Sequence, residues 1–501
     1  MREKAILARG ERTLHPAAWL GILLSLLAAG CTVGPNYRRP ETPVAQTWAE
    51  ASDGLAAEPV TLAQWWTLFR DDQLDSLVDR AVQSNKDLQL AEARIRQARA
   101  QRRVTASSGL PTLNATGSYS RIKRSSAFSS TFGAGTTGGT AGFFGGAGSG
   151  ALDLFQTGLD ATWEIDVFGG VRRSVEAANA SIAASQENLN DALVTLLGEV
   201  ATNYFQLRGN QRRIEIARQN IETQRQTVEL AQGKFKAGLG SRLEVVQAEA
   251  LLATTESQIP ALDAAAKQSI HQLGVLLGSE PGALLQELSP PKPMPPAPPD
   301  VPIGLPSDLL RRRPDIRRAE RQLAAATAQI GVAAADLFPR LSLTGSAGYQ
   351  STKSSRLFEP GSQFWSYGPG LTLPLFSGGR IRGNIQVQTA LQEQALITYE
   401  SAVLTALQDV ENAIVVYADT QAAHDALARA VDANRQAAQI SHDLYQKGLT
   451  DFLNVLQSEG ALYQVEDQLM QNEQQTLTAL VALFKALGGG WQIPPEGAWE
   501  Y

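Results

Sequence analysis

Apolar residues recur at every seventh position through residues 170–235: Leu193, Val200, Leu207, Ile214, Ile221, Val228 and Phe235, with alanine, glutamine and charge between them. The stretch has no proline, and past Gly170 its only glycines are Gly198, Gly209 and Gly233. A sustained heptad of this kind predicts helices packed side by side in a supercoil. The same seam returns at Val403, Val410, Tyr417, His424, Val431, Ala438 and Tyr445. About 65 residues at 1.5 Å each make a rod of roughly 100 Å, longer than a globular domain of this size needs. Each rod turns at a glycine, Gly238 or Gly448, and returns over about forty residues to Gly278 or Gly488, glycines suited to C-caps. Pro260 inside the first returning helix should kink it near Glu256; its counterpart in the second is Met470.

Just before each rod the period changes from seven to two. Leu113, Ala115, Gly117 and Tyr119 alternate with Thr112, Asn114, Thr116 and Ser118. Leu159, Ala161, Trp163, Ile165 and Val167 alternate with Asp160, Thr162, Glu164 and Asp166. Further on, Leu341, Leu343, Ala347 and Tyr349 stand against Ser342, Thr344 and Ser346, and Trp365, Tyr367, Leu371, Leu373 and Leu375 against Ser366, Gly368, Gly370 and Thr372. One apolar and one polar face, with aromatics near the ends, is what a transmembrane barrel strand requires. A soluble sandwich also alternates, but carboxylates gathered on the polar face suit a water-filled lumen. Four strands cannot close a barrel, and a membrane barrel has no free edge. The barrel is therefore expected to be shared, with eight strands from a dimer or twelve from a trimer.

Rods and strands each occur twice, and the helical hairpins do so at a constant offset. GLGSRLEVVQAE from Gly238 matches GLTDFLNVLQSE from Gly448, and the same spacing pairs Val200 with Val410 and Leu277-Gly278 with Leu487-Gly488. Such self-similarity marks an internal duplication. The expected organisation is a signal peptide at 1–30, then an N-terminal segment with the first helices at 31–110. Repeat 1 covers 111–278, with a strand pair at 111–168 and a helical hairpin at 170–278. A proline-rich linker at 279–310 follows. Repeat 2 covers 311–488, with a helix at 314–336, a strand pair at 339–376 and a hairpin at 379–488. A tail occupies 489–501. Nine of the 24 prolines fall in 289–306, which reads as a stiff extended strap without helix or sheet interior. The Gly-, Ser- and Thr-rich run 132–150 lengthens the first strand connection relative to the second and reads as a flexible surface loop.

Composition narrows the class. Hydrophobic content of 43% and charge of 19% fit a folded chain, and 44 basic against 50 acidic side chains with no basic stripe argue against nucleic acid as a partner. Arg2, Lys4, Arg9 and Arg12 precede an apolar run at 17–29, the pattern of a signal peptide. The run ends in LLAAG before Cys31, the chain's single cysteine. This resembles the lipobox of bacterial lipoproteins, with Ala28 where leucine is commoner. That resemblance implies cleavage between Gly30 and Cys31 and acylation, including palmitate, of Cys31. Thr32 follows, rather than the aspartate that resembles an inner-membrane retention signal. No other run is long and apolar enough for a membrane-spanning helix.

Several motifs together resemble the TolC-like outer membrane factors, in the efflux lipoprotein branch of OprM/NodT type. They are Cys31-Thr32-Val33-Gly34-Pro35-Asn36-Tyr37, LLRRRPDIRRAE at 309–320, IGVAAADLFPRLSL at 330–343, PLFSGGRIRG at 374–383 and KALGGGW at 485–491. The resemblance implies a mixed α and β membrane protein: a homotrimer sharing a twelve-stranded transmembrane β-barrel, four strands per chain, with a long α-helical coiled-coil barrel in the periplasm. Segments around 40–85, 290–310 and the C-terminus would form an equatorial belt. It implies an exit duct of a tripartite efflux system, partnered by a periplasmic adaptor (membrane fusion protein) and an inner-membrane pump, expected to be of the RND type, with outer-membrane lipid around the barrel. The alternative is the outer-membrane duct of a type I protein secretion system. A structural coiled-coil lipoprotein without a channel is disfavoured by the alternating strands.

Catalysis has little to stand on. His15 leaves with the signal, His424 lies on the seam, and His271 and His442 stand singly, so no metal pair or cofactor site is expected. The arginines at 311–313 open a helix, and Asp315 and Glu320 are the expected partners. The resemblance makes the turns at Gly238, Leu239, Gly448 and Leu449 the adaptor contact. Lys234, Lys236 and Arg242 flank the first turn, and Asp443 and Asp451 the second. In a ring of alternating hairpins, these opposite charges are candidates for a periplasmic gate. Exposed pairs contribute about 0–1 kcal/mol each, so such a gate needs several acting together.

Overall fold

The structure, a computed structural model, describes residues 32–50, 55–56, 62–123, 151–298, 301–302 and 304–492. The signal peptide, Gly30, Cys31, the glycine-rich run and the last nine residues lie outside them. In chain order the elements are β1 (Leu55–Ala56), a 3-10 segment (Leu62–Phe69), α1 (Asp72–Ser84), α2 (Lys86–Ser107), β2 (Thr112–Ile122), β3 (Leu152–Ile165), α3 (Gly170–Lys236), α4 (Arg242–Glu256) and α5 (Ile259–Leu276). After a single turn at Leu285–Leu288 come β4 (Val301–Pro302), α6 (Pro306–Arg312), α7 (Pro314–Ala335), β5 (Arg340–Ser351), β6 (Gln363–Thr372), α8 (Arg380–Gln446) and α9 (Phe452–Ala486). Among the described residues no helix is long and apolar enough to cross a membrane.

The duplication is visible in the elements themselves. Helices α3 and α8 each contain 67 residues. Both end in the same cap: Gly238 and Gly448 take positive φ of 71° and 73°. Leu239 N–H donates to Lys234 O and Leu449 N–H to Leu444 O, each at 2.9 Å. These are Schellman caps, which satisfy carbonyls that a helix end leaves free. The returning limbs close in the same way, with Ser279 N–H on Gly274 O and Gly489 N–H on Phe484 O.

Contacts divide the chain into two units. One comprises the described parts of 1–38, 99–179 and 324–393; the other those of 39–98, 180–323 and 394–501. The first holds the four-stranded antiparallel sheet, in the order β2-β3-β5-β6. The second holds the main core, where Trp65 stacks on Phe484 at 5.2 Å and Phe69 meets Phe205 at 4.8 Å. Part of the heptad seam lies in this core, with Val200, Leu207, Val403 and Val410 buried, while Val228 and Tyr445 pack in a separate cluster. Phe235 departs from the seam, being 45% exposed. It sits in the last turn of α3.

The proline strap has neither helix nor strand from 291 to 298. Arg208, fully buried, donates to Pro290 O, and Gln211 to Leu288 O, so α3 holds the strap through its carbonyls. Helix nevertheless begins inside the expected linker, because Pro306 lies at the start of α6. A proline costs nothing in the first turn, where its missing N–H would have had no partner. Pro260 acts as expected: α4 ends at Glu256, four residues before it, and α5 begins at Ile259.

Candidate functional site

The sheet separates its faces row by row. Leu113, Ala161, Gly345 and Tyr367 lie side by side on one face, followed by Ala115, Leu159, Ala347 and Trp365. Asn114, Asp160, Ser346 and Ser366 form a row on the other face, as do Thr112, Thr162, Thr344 and Gly368. Polar side chains on that second face bond across strands: Thr116 donates to Asp160 at 2.9 Å, and the Ser346 and Ser366 hydroxyls are 2.8 Å apart. On the apolar face Trp365 stacks with Tyr367 and Tyr119 packs on Phe155. Within this sheet β2 and β6 each have a single neighbour, so both outer edges keep unpaired N–H and C=O groups.

Two sequence expectations change here. Asp166 was expected on the lumen face with Asp160 and Glu164. Instead β3 ends at Ile165, and Asp166 accepts from Val171 N–H and Arg172 N–H in the first turn of α3. A carboxylate is favoured there by the free amides and the helix dipole. Leu373 and Leu375 follow the end of β6 at Thr372, so the last strand is shorter than its alternation suggested.

At the helical turns, Leu239 and Leu449 are 79% and 70% exposed, and nothing lies within 4 Å of where a Cβ on Gly238 or Gly448 would point. The turns thus present two bare leucines. Of the five charged residues expected near a gate, Lys236, Arg242, Asp443 and Asp451 are exposed. Lys234 reaches the second hairpin, but not either aspartate. Its ammonium donates to Tyr445 O at 2.6 Å and lies 3.6 Å from the centre of the Tyr445 ring. That carbonyl belongs to the last turn of α8, where carbonyls lack helical partners and attract cations. The Tyr445 hydroxyl donates to Glu244 Oε2 at 2.9 Å. Burial, reinforced by Glu244, pushes the phenol's pKa well above its usual value. In the sequence Tyr445 stands out only as a seam residue, and Glu244 carries no mark of its own. The available signal was a hydroxyl at an otherwise aliphatic seam, since a buried tyrosine needs a polar partner.

The arginine-rich segment is structural. Arg313 forks onto Asp315 at 3.0 and 2.6 Å and also reaches Asp409 and Ala486 O. Burial works to raise the Asp315 pKa, but the guanidinium overcomes it and holds the carboxyl below its usual range. Glu320 pairs with Arg321 and Arg39. His424 lies 3.6 Å from Glu473 in a cleft of about 640 Å³ beside the proline strap. Among the described residues no group of three or more His, Cys, Asp or Glu is arranged to hold a metal.

A sheet with one apolar and one polar face and two open edges, carried by a chain of duplicated long hairpins, defines a subunit of an outer-membrane channel. The family model for outer membrane efflux proteins matches residues 77–279 and 305–489, and the chain belongs to that family. Nodulation protein T of Rhizobium leguminosarum bv. trifolii is 33% identical over 474 residues, spanning 93% of this chain and 96% of the relative. Outer membrane protein OprJ of Pseudomonas aeruginosa is 32% identical over 471 residues, spanning 94% and 95%. Among solved structures, the outer-membrane channel OprN superposes with a TM-score of 0.83 at 37% identity, covering 92% of this chain and all of that one. The fold class is that of the TolC-like trimeric channels, with a β-barrel shared between chains, four strands from each, together with long paired helices. The protein functions as an outer-membrane efflux channel.

Proposed function

We propose that the chain is the exit duct of a tripartite efflux system, passing small molecules delivered by an inner-membrane pump of the RND type through a periplasmic adaptor. The observation that carries this reading is the sheet: a face with two complete rows of polar residues and glycine, Asn114-Asp160-Ser346-Ser366 and Thr112-Thr162-Thr344-Gly368, and two edges left for other copies to close. A duct of this kind needs positioning and a wide polar wall, and we assign it no catalytic residue or cofactor. The bare leucines at 239 and 449 fit the apolar contacts of an adaptor's helices, with Gly238 and Gly448 setting the turns that present them. Cys31 is the proposed acylation site, after cleavage at Gly30, and its lipid would add to the anchorage of the barrel.

The exposed charges Lys236, Arg242, Asp443 and Asp451 remain free within one chain to meet a neighbouring hairpin. Lys234, Tyr445 and Glu244 tie the two hairpins of one chain together, and we propose that this tie works with those charges to hold the tips shut. Deleting the gene and complementing it with the wild-type chain tests the transport reading. Loss and recovery of resistance to several unrelated small molecules is expected. Loss of export of one large protein, with resistance unchanged, would favour the secretion alternative. Purified channel should sediment as a trimer, and a stable folded monomer would overturn the shared barrel.

A further inference from the structure

The segment that follows Cys31 is bolted to the junction between β3 and α3. Val33 N–H donates to Phe168 O, in the connection between β3 and α3, at 3.2 Å. Arg173, 3% exposed, turns its guanidinium onto the same segment. Its Nε donates to Val33 O at 3.1 Å, and its Nη2 to Gly34 O at 3.3 Å and Asn36 Oδ1 at 2.6 Å. Its Nη1 donates to Glu176 at 2.7 Å, so the side chain is held from its own helix as well.

The backbone is shaped for this clamp. Gly34 has a φ of 91°, and a Cβ there would lie 2.4 Å from Gly331 Cα. A Cβ on Gly331 would in turn meet Arg173 Cγ at 2.8 Å, and one on Gly169 would lie 3.0 Å from Thr32 Cα. Three glycines and one arginine thus interlock on a segment that has no regular structure of its own. The planar fork of arginine suits this task, because it reaches two carbonyls and an amide oxygen at once.

The structure assigns Arg173, with Gly34 and Gly331, as a clamp that positions the lipid anchor: it fixes the chain at Val33 and Gly34, two and three residues after Cys31, beside the β3–α3 junction, so that acyl chains on Cys31 enter the membrane near there instead of on a long free tether. Thr32 Cα is one peptide unit, about 3.8 Å, from Cys31 Cα. The clamp's bonds begin at Val33, so only Thr32 separates them from Cys31 in the chain. This inference rests on the reading of Cys31 as the acylated residue, and makes Arg173 a positioning residue for it.

The test uses the full chain purified in detergent micelles from cells labelled with radioactive palmitate. Arg38 is exposed, and tryptic cleavage after it separates the lipid-bearing peptide from the channel. Cleavage of a docked segment requires local opening, so its rate reports the opening equilibrium. Arg173→Ala should release label about tenfold faster or more while the trimer remains intact, since several charge-assisted bonds are lost. Arg173→Lys should fall between, because an ammonium cannot span all three acceptors. An unchanged release rate in Arg173→Ala with the trimer intact overturns the clamp. Should that variant fail to assemble, Asn36→Ala decides alone: about threefold faster release supports the clamp, and an unchanged rate refutes it. Absence of palmitate from the wild-type chain would instead remove the lipid reading of Cys31. The clamp would then still be scored from the mass and rate of the released peptide.

Discussion

The two repeats agree closely along their outgoing helices and diverge along their returning ones. Both α3 and α8 run 67 residues to the same glycine cap. In repeat 2 the return is one helix, Phe452–Ala486, whereas in repeat 1 it is broken after Glu256. The break is stitched to the other repeat, because the Tyr463 hydroxyl donates to Gln258 Oε1 at 2.7 Å. Met470, the counterpart of Pro260, packs in the same cluster with Ile259, Ile216, Ala217 and Tyr463. A second divergence lies at the tips. Tyr445 is 5% exposed and bonded on both sides, while Phe235 at the equivalent position is 45% exposed. Duplication supplied two similar hairpins, and the local partners decide which features each retains. Within one chain, the second hairpin's tip is covered by the first, while the first hairpin's tip keeps an open side. A ring of copies offers that side a second hairpin, so Phe235 should be protected in the trimer.

The strongest challenge to the equivalence of the two tips is to replace their leucines. Leu239→Asp combined with Leu449→Asp should abolish efflux while leaving the trimer level unchanged, read as resistance against the amount of trimer in the membrane. Each single substitution then shows whether both tips are used. Full resistance in the double variant would remove the leucines from the adaptor contact.

Next in size is moving the break. Met470→Pro should cost about 3 kcal/mol or more, because α9 is continuous there and a helix-interior proline loses a hydrogen bond and clashes with the preceding turn. Pro260→Ala should change stability by less than about 1 kcal/mol, since the break already has its bonds. Thermal unfolding of the two purified variants compares the repeats directly. Equal losses would show that the broken limb is under the same constraint as the straight one.

A smaller effect separates the tyrosine from the exposed charges. Tyr445→Phe removes the bond to Glu244 but keeps the ring beneath Lys234, and should loosen the tip by about 1 kcal/mol. Asp443→Ala with Asp451→Ala should do no more than that, with exposed pairs contributing about 0–1 kcal/mol each. Single-channel conductance in a planar bilayer ranks them. A larger rise in the aspartate variant would place the main restraint between chains.

The smallest effect concerns Glu459, which is buried and accepts a 2.6 Å bond from Thr227, while its other oxygen has no partner among the described residues. Its repeat equivalent, Glu249, is exposed. Burial pushes the Glu459 carboxyl above its usual range, with the Thr227 hydroxyl opposing. The folded state therefore holds the proton more tightly than the unfolded one. Stability is fully present below the ordinary carboxylate range and falls as pH rises through the raised value. Glu459→Gln should flatten this dependence, raising the melting temperature at mildly alkaline pH and not at acidic pH. A parallel shift at all pH values would exclude the titration.

The parts legible in the sequence were those set by period and by glycine. The heptads placed the long helices, the offset between Gly238 and Gly448 placed their turns, and alternation placed both faces of the sheet. The start of β3 was hidden because Leu152 and Leu154 share a face with Asp160, which breaks the alternation. The strap's end was misread because proline at the start of α6 looks the same in sequence as proline in a linker. Lys234 illustrates a further point: its charge suggests an acidic partner, but its acceptor is a backbone carbonyl in the last turn of a neighbouring helix, shared with the Gly448 N–H of the cap. That geometry appears only once the two hairpins are laid together.

The open edges of β2 and β6 have a genetic consequence. When each barrel needs strands from three chains, a copy with a faulty strand spoils the ring it joins, including its sound partners. In a cell making equal amounts of normal and strand-defective chain, only about one ring in eight would contain three normal copies under random assembly. A defect in the sheet should therefore behave as dominant over the normal gene, whereas a chain that never reaches the membrane should behave as recessive.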